Sequence, residues 1–241
     1  MIASCSIRQV LLGVTAAVAL FVTAAVSDAA PYEFGQFNIV NANQPFSFTN
    51  NGGISAAVNM VNVPTTFNFT VQTGLSTADH AAFLNLAPVG GPSITPAATA
   101  GSLVSQPIGM ERLTITSGAD GTGTNYLTLL FTGDITGLLG ASNLDFTGDD
   151  NNPNAIRIVT YTSDFGTFGA AGTGNGFNLA LATVAPAVSI GPGGFLSSFN
   201  ANVDGQFTSN FTANVPEPGT VALLLFGLVG AGALRLAQRQ A

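Results

Sequence analysis

The sequence predicts an all-β protein: an antiparallel β-sandwich or jelly roll of about eight to eleven strands, flanked by an N-terminal signal helix and a C-terminal transmembrane helix. Three observations carry that expectation. Apolar and polar residues alternate with a period of two through the middle of the chain, as in Phe67, Phe69 and Val71 against Thr66, Asn68, Thr70 and Gln72. Turn-forming clusters such as Asn50-Asn51-Gly52-Gly53 separate these runs. Between residues 30 and 214 only a short segment, 76–86, offers a helical reading.

The first element is an address. Arg8 precedes an apolar run from Val10 to Val26, and the small residues Ala25-Val26-Ser27-Asp28-Ala29-Ala30 close it. A basic start, an apolar stretch and small residues one and three positions before a cut make a secretory signal peptide. Ser27 and Ala29 fill those two positions, so cleavage is expected after Ala29 and residues 1–29 form the signal. Cys5, the only cysteine, leaves with it. A disulfide framework and a cysteine-based zinc site are excluded.

Residues 30–214 form the expected sandwich domain. They hold ten acids against Arg112 and Arg157, a net charge of −8, and the chain has no lysine. Nucleic-acid binding is excluded, because it needs basic residues to displace phosphate counterions. Beyond residue 72, a short helix is expected at 76–86, capped by Ser76-Thr77-Ala78-Asp79 and turning Phe83 and Leu86 inward. Residues 87–106, with Pro88, Pro92 and Pro96, read as a loop. Leu113 and Ile115 alternate with Arg112, Thr114 and Thr116, and the turn cluster at 118–123 joins this run to residues 125–131 as a hairpin. Ile156 and Ile158 alternate with Arg157 and Val159 in the next run. The glycine-rich stretch 164–176 reads as a second loop. Phe177, Leu179 and Leu181 follow, and Phe199, Ala201, Val203, Phe207 and Phe211 share one parity. The eighteen phenylalanines supply much of the core, at about 1.5–3 kcal/mol for each fully buried ring.

Catalytic constellations are scarce. His80 is the only histidine and no Gly-x-Ser-x-Gly elbow occurs. The body is therefore expected not to be an enzyme, with His80 an exposed residue near a helix start. Asp145, Asp149, Asp150, Asn152 and Asn154 crowd oxygen ligands into one stretch, which makes calcium a candidate cofactor. The EF-hand spacing fails, since Ala155 stands at the glycine position, and a polar turn between strands explains the same residues. No tryptophan and only three tyrosines are available as sugar platforms.

The last element is a second address. Val215-Pro216-Glu217-Pro218-Gly219-Thr220 leads into an apolar run from Thr220 to Leu234, followed by Arg235 and Arg239. As a helix at ~1.5 Å per residue the run covers roughly 22 Å of a ~30 Å hydrocarbon core, and the arginines would stay cytoplasmic. Pro-Glu-Pro, a short hydrophobic segment and a basic tail together resemble the PEP-CTERM sorting signal of Gram-negative bacteria. The resemblance is confined to residues 215–241. It implies recognition by an exosortase, a membrane cysteine protease, acting near Pro216, Glu217, Pro218 and Gly219. It also implies transient insertion in the inner membrane, with Arg235 and Arg239 retaining the tail, and then delivery to the cell surface or extracellular matrix. The expected function is a non-catalytic surface or matrix protein, structural or adhesive in a biofilm and in contact with exopolysaccharide. A polysaccharide- or calcium-binding module and an exported hydrolase are the alternatives.

Overall fold

Antiparallel pairing joins strands whose inward residues are mostly Phe, Leu, Ile and Val. The computed structural model describes residues 30–214 apart from residue 42 and residues 152–157. In chain order the strands are β1 (Tyr32–Ile39), β2 (Phe46–Asn50), β3 (Ala56–Phe69), β4 (His80–Pro88), β5 (Ala98–Ala100), β6 (Leu103–Thr116) and β7 (Asn125–Leu138). They continue with β8 (Leu144–Asp149), β9 (Val159–Thr162), β10 (Gly166–Thr167), β11 (Gly176–Ala185), β12 (Phe199–Ser209) and β13 (Thr212–Ala213). The expected signal and transmembrane helices fall outside the described residues. Among those described, no helix is long and apolar enough to cross a membrane.

The sandwich expectation is corrected to a closed barrel. Eight strands pair around a ring in the order β6, β4, β3, β1, β12, β11, β8, β7, and β7 returns to β6. Closure follows from the expected hairpin, which is longer than the sequence indicates. β6 and β7 pair from Leu103↔Leu138 to Thr116↔Asn125, while β6 gives its other edge to β4 and β7 gives its other edge to β8. Closing the sheet removes the open edges that a sandwich retains. β2 takes over where β1 ends, pairing with both β3 and β12. β9 adds to β7 beyond the end of β8. All eight strands of the ring lie within 30–214, and their inward side chains pack into one hydrophobic core.

The interior is filled by rings. Phe34, Phe37, Phe46, Phe48, Phe67, Phe131, Phe146 and Phe207 are all buried. Glycines make room for them on the inner face. A Cβ on Gly205 would lie 2.1 Å from the Phe37 ring, and one on Gly148 would lie 2.4 Å from Phe177. The residues of shared parity from Phe199 to Phe211 all face inward as expected.

Bulges break that parity elsewhere. On β6, Gln106 and Ile108 point inward, then the register shifts between Ile108 and Glu111, and Glu111, Leu113 and Ile115 point inward. β3 shifts in the same way between Met60 and Val63, leaving Val61 exposed. β11 shifts between Ala182 and Ala185, so that Leu181 and Val184 both face the core. One extra residue at each bulge lets a long strand bend around the barrel while keeping its apolar side inside.

Three local expectations are corrected. Residues 80–88 are strand β4, with Ala82, Leu84 and Leu86 inward and Phe83 on the outer parity. The free edge of β3 supplies a pairing partner that outweighs weak local helix signals. The 87–106 segment contains β5 and the start of β6, whose Val104 and Gln106 are buried. In the 156–159 run the parity is reversed. Val159 pairs with Phe131 and is buried with Tyr161, while Ile158 is exposed; Ile156 and Arg157 lie outside the described residues.

Candidate functional site

The side chains that face outward from β7, β8, β11, β12, β1 and β3 are mostly amides, hydroxyls and carboxylates. Cross-strand register aligns them. Asp134 pairs with Thr147, Thr147 with Asn178, Asn178 with Gln206, Gln206 with Gln36, and Gln36 with Asn68. Six neighbouring strands at ~4.8 Å spacing make this row roughly 24 Å long. A second row runs beside it through Asp145, Ala180, Asp204, Asn38 and Thr66. Gln36, Asn178 and Gln206 make no side-chain hydrogen bond to another described residue, so their donors and acceptors face solvent. Asn68 donates to the Asp79 carboxylate at 3.2 Å.

Shallow grooves follow the row. One, of about 270 Å³, is bordered by Glu33, Asp149, Asn178, Gln206 and Thr208. It opens over Gly176, which faces outward between Asp149 and Thr208 and has no side chain to fill the space. The next groove, of about 160 Å³, shares Asn178 and Gln206 with the first and adds Asn38 and Asp204. A third, of about 490 Å³, continues from Gln36 past Asn68 to Gln72.

Of the calcium candidates, Asp145, Asp149 and Asp150 lie within the described residues. Asp145 and Asp149 stand four residues apart on one face of β8, about 13 Å by strand rise. The Asp149 Oδ1 accepts from the amide of Asn151 at 2.8 Å, which is an Asx turn. Asp150 is engaged elsewhere: its two oxygens accept from the amides of Gly172 at 2.8 Å and Gly174 at 3.0 Å. It thereby holds the glycine-rich loop against the end of β8. Asn152 and Asn154 lie outside the described residues. Among the described residues no group of three or more His, Cys, Asp or Glu side chains is placed to hold a metal ion.

His80 begins β4 and not a helix. Its ring lies 5.1 Å from Tyr126 and 6.2 Å from Phe69, in an aromatic cluster that closes one end of the barrel. It is half-buried there, not exposed as expected. Tyr161 donates its hydroxyl to the carbonyl of Gly176. Burial, aided by the negative charges of Asp150 and Asp149, pushes that phenol up.

Glu111 is the unexpected residue. It is fully buried between Pro88 of β4 and Phe131 of β7, and neither carboxyl oxygen has a hydrogen-bond partner. Burial in apolar surroundings disfavours the charged form and pushes its pKa up to about 8. The sequence signal was present, because Glu111 shares the parity of Leu113 and Ile115.

Both ends of the described chain leave the barrel together. β1 starts, and β12 ends, beside the loops 70–79, 117–124 and 163–175. β13 pairs with β10, and the amide of Asn214 donates to Phe165 at 2.7 Å as the last backbone tie. At this residue a different pattern begins: residues 214–240 match the PEP-CTERM protein-sorting motif. The chain carries a PEP-CTERM sorting segment. No curated protein and no solved structure matches the chain significantly. The PEP-CTERM motif makes this a substrate of exosortase-dependent export and surface sorting. Pro216, Glu217, Pro218, Gly219, Arg235 and Arg239 lie within the matched segment; these six, and Ser27 and Ala29 near the other end of the chain, fall outside the described residues. Replacing Pro216, Glu217 and Pro218 with alanine should leave the segment attached in the host, read as a higher intact mass in the membrane fraction. Normal processing of that variant would contradict the role of the motif.

Proposed function

We propose that this PEP-CTERM protein is a non-catalytic component of the cell surface or extracellular matrix whose barrel wall holds exopolysaccharide. On this reading the C-terminal segment anchors the chain in the inner membrane until an exosortase releases it, and the barrel then works as a structural or adhesive body. The observation that supports polysaccharide as the partner is the row Thr147, Asn178, Gln206, Gln36 and Asn68. Sugar hydroxyls both donate and accept, and planar amides and carboxylates match them with paired hydrogen bonds. The three unspent amides at the centre of the row can bond a ligand without breaking any bond to a described residue. A long shallow row suits an extended chain better than a small molecule, which binds in an enclosed pocket.

The test is binding of residues 30–214 to polysaccharide purified from the host. Each lost hydrogen bond is worth about 1 kcal/mol, so Asn178→Ala with Gln206→Ala should weaken binding about tenfold to thirtyfold. Unchanged binding by that double variant, or no binding by the native barrel, would refute the reading.

A further inference from the structure

Carboxylates border the amide row on both sides. On one side of Asn178, Gly176 lies beside Asp149 of β8 and beside Thr208 of β12, whose next partner is Glu33 of β1. On the other side, Ala180 lies between Asp145 of β8 and Asp204 of β12. Asp145, Asp149 and Asp204 are exposed and Glu33 is half-buried. These four form two acidic strips, with Thr147, Asn178, Gln206 and Gln36 between them.

Each strip has a gap on β11. Gly176 and Ala180 carry at most a methyl group, and the first two grooves open over them. The gaps are four residues apart, about 13 Å along the strand, and Asn178 stands midway with its amide unspent. At Ala180 the flanking aspartates are on strands roughly 10 Å apart, so a small cation over the alanine sits between two carboxylates. The charge around these gaps is one-sided. The chain has no lysine. Arg112, the one arginine among the described residues, is on β6, four strands from β12 in either direction around the ring. His80 begins β4, three strands from β12.

We propose that the polysaccharide held by this wall is an amino-sugar polymer with free, protonated amines. The inference rests on the polysaccharide reading and adds the charge of the ligand. A glycan bearing uronate, sulfate or phosphate would bring like charge against both strips. A neutral glycan can bond the amides but offers the carboxylates hydroxyl donors alone. Ammonium groups over Gly176 and Ala180 make charge-assisted hydrogen bonds, roughly twice as strong as neutral ones, while hydroxyls between them bond Asn178 and Gln206. The net charge of −8 on residues 30–214 also draws a polycation in from solution.

The test uses residues 30–214, which contain the whole ring and its core, and glucosamine oligomers of one length with and without N-acetyl groups. Calorimetric titration at about pH 6, where free amines are protonated, should give binding at least tenfold tighter for the free-amine oligomer. That binding should weaken as salt rises. A galacturonate oligomer should not bind. Asp149→Asn with Asp204→Asn keeps the shape of both gaps and the Asx turn at residue 149. It should weaken binding of the free-amine oligomer about threefold to tenfold and leave the N-acetylated one unchanged. Equal affinity for the two glucosamine oligomers, or tight binding of galacturonate, overturns the charge inference and leaves the polysaccharide reading standing. So does a double variant that binds the free-amine oligomer as the native barrel does. An oligolysine of equal charge that binds as tightly would make the wall a general cation surface and also overturn it. A barrel that binds host polysaccharide but neither glucosamine oligomer overturns this inference alone, and one that binds no glycan overturns both readings.

Discussion

Native protein should lose stability as the pH rises from 5 to 8, and Glu111→Gln should not. The Glu111 carboxyl ionises at its ordinary value of 4.5 when unfolded and is pushed up to about 8 in the barrel. Below pH 4.5 both states hold the proton and the folded state keeps its full advantage. Between 4.5 and 8 only the folded state holds it, so each pH unit costs about 1.4 kcal/mol of stability. The accumulated loss by pH 8 is on the order of 4 kcal/mol, a large share of the total for a domain of this kind. Among the described residues no charged side chain pairs with Glu111 to offset this. β4 brings Pro88 opposite it and carries its only titratable group, His80, at the far end of the barrel. β7 brings Phe131, with Asp134 on the outer face, and Arg112 of β6 is exposed. Glu111→Gln keeps the shape and removes the proton, although its amide still lacks partners. Its urea midpoints should be nearly level between pH 5 and 8, and at pH 8 it should exceed the native protein. Parallel pH profiles for the two proteins would refute the assignment.

Phe34→Ala should destabilise the barrel by about 3–5 kcal/mol, the range for deleting a buried phenylalanine where neighbours cannot collapse inward. Phe34 is fully buried, and its ring packs at 5.1 Å from Tyr161, 4.9 Å from Phe168, 6.2 Å from Phe207 and 5.5 Å from Phe211. These partners come from β9, the 163–175 loop, β12 and the segment leading to β13, so one ring joins four parts of the chain. Because Phe168 and Phe211 flank the last tie before residue 214, the loss should be accompanied by earlier proteolysis near the C-terminal end. Phe34→Leu, which keeps most of the volume, should cost much less. Equal urea midpoints for native protein and Phe34→Ala would show that the ring cluster carries no such weight.

The amide row and Glu111 show how unevenly the site was legible. Each residue of the row sits on an outward parity that periodicity reveals, yet no sequence rule places Gln36 beside Gln206, which is 170 positions away. The acidic stretch was legible in sequence, but not that Asp145 and Asp149 would stand four residues apart on one face of β8 or that Asp150 would accept from the amides of Gly172 and Gly174. Glu111 shared the phase of Leu113 and Ile115, and its charge alone argued against an inward position.

By itself the sequence determined the strand type, the inward parity of most phenylalanines, the β6–β7 hairpin and the C-terminal sorting segment. These are local properties: a period of two, a turn cluster or an ordered set of adjacent segments reads without knowledge of any distant partner. Tertiary structure decided the rest. It chose a closed barrel over a sandwich because β6 and β7 each found partners on both edges, and it placed bulges where long strands had to curve. It turned residues 80–88 into a strand because β3 offered an edge. It also tied residues 51–55, 89–102, 139–143 and 186–198, far apart in the chain, together at one end of the barrel. Pairing between distant segments is set by the loss of solvent-exposed edges and apolar surface over the whole molecule, a balance that no single stretch of sequence contains.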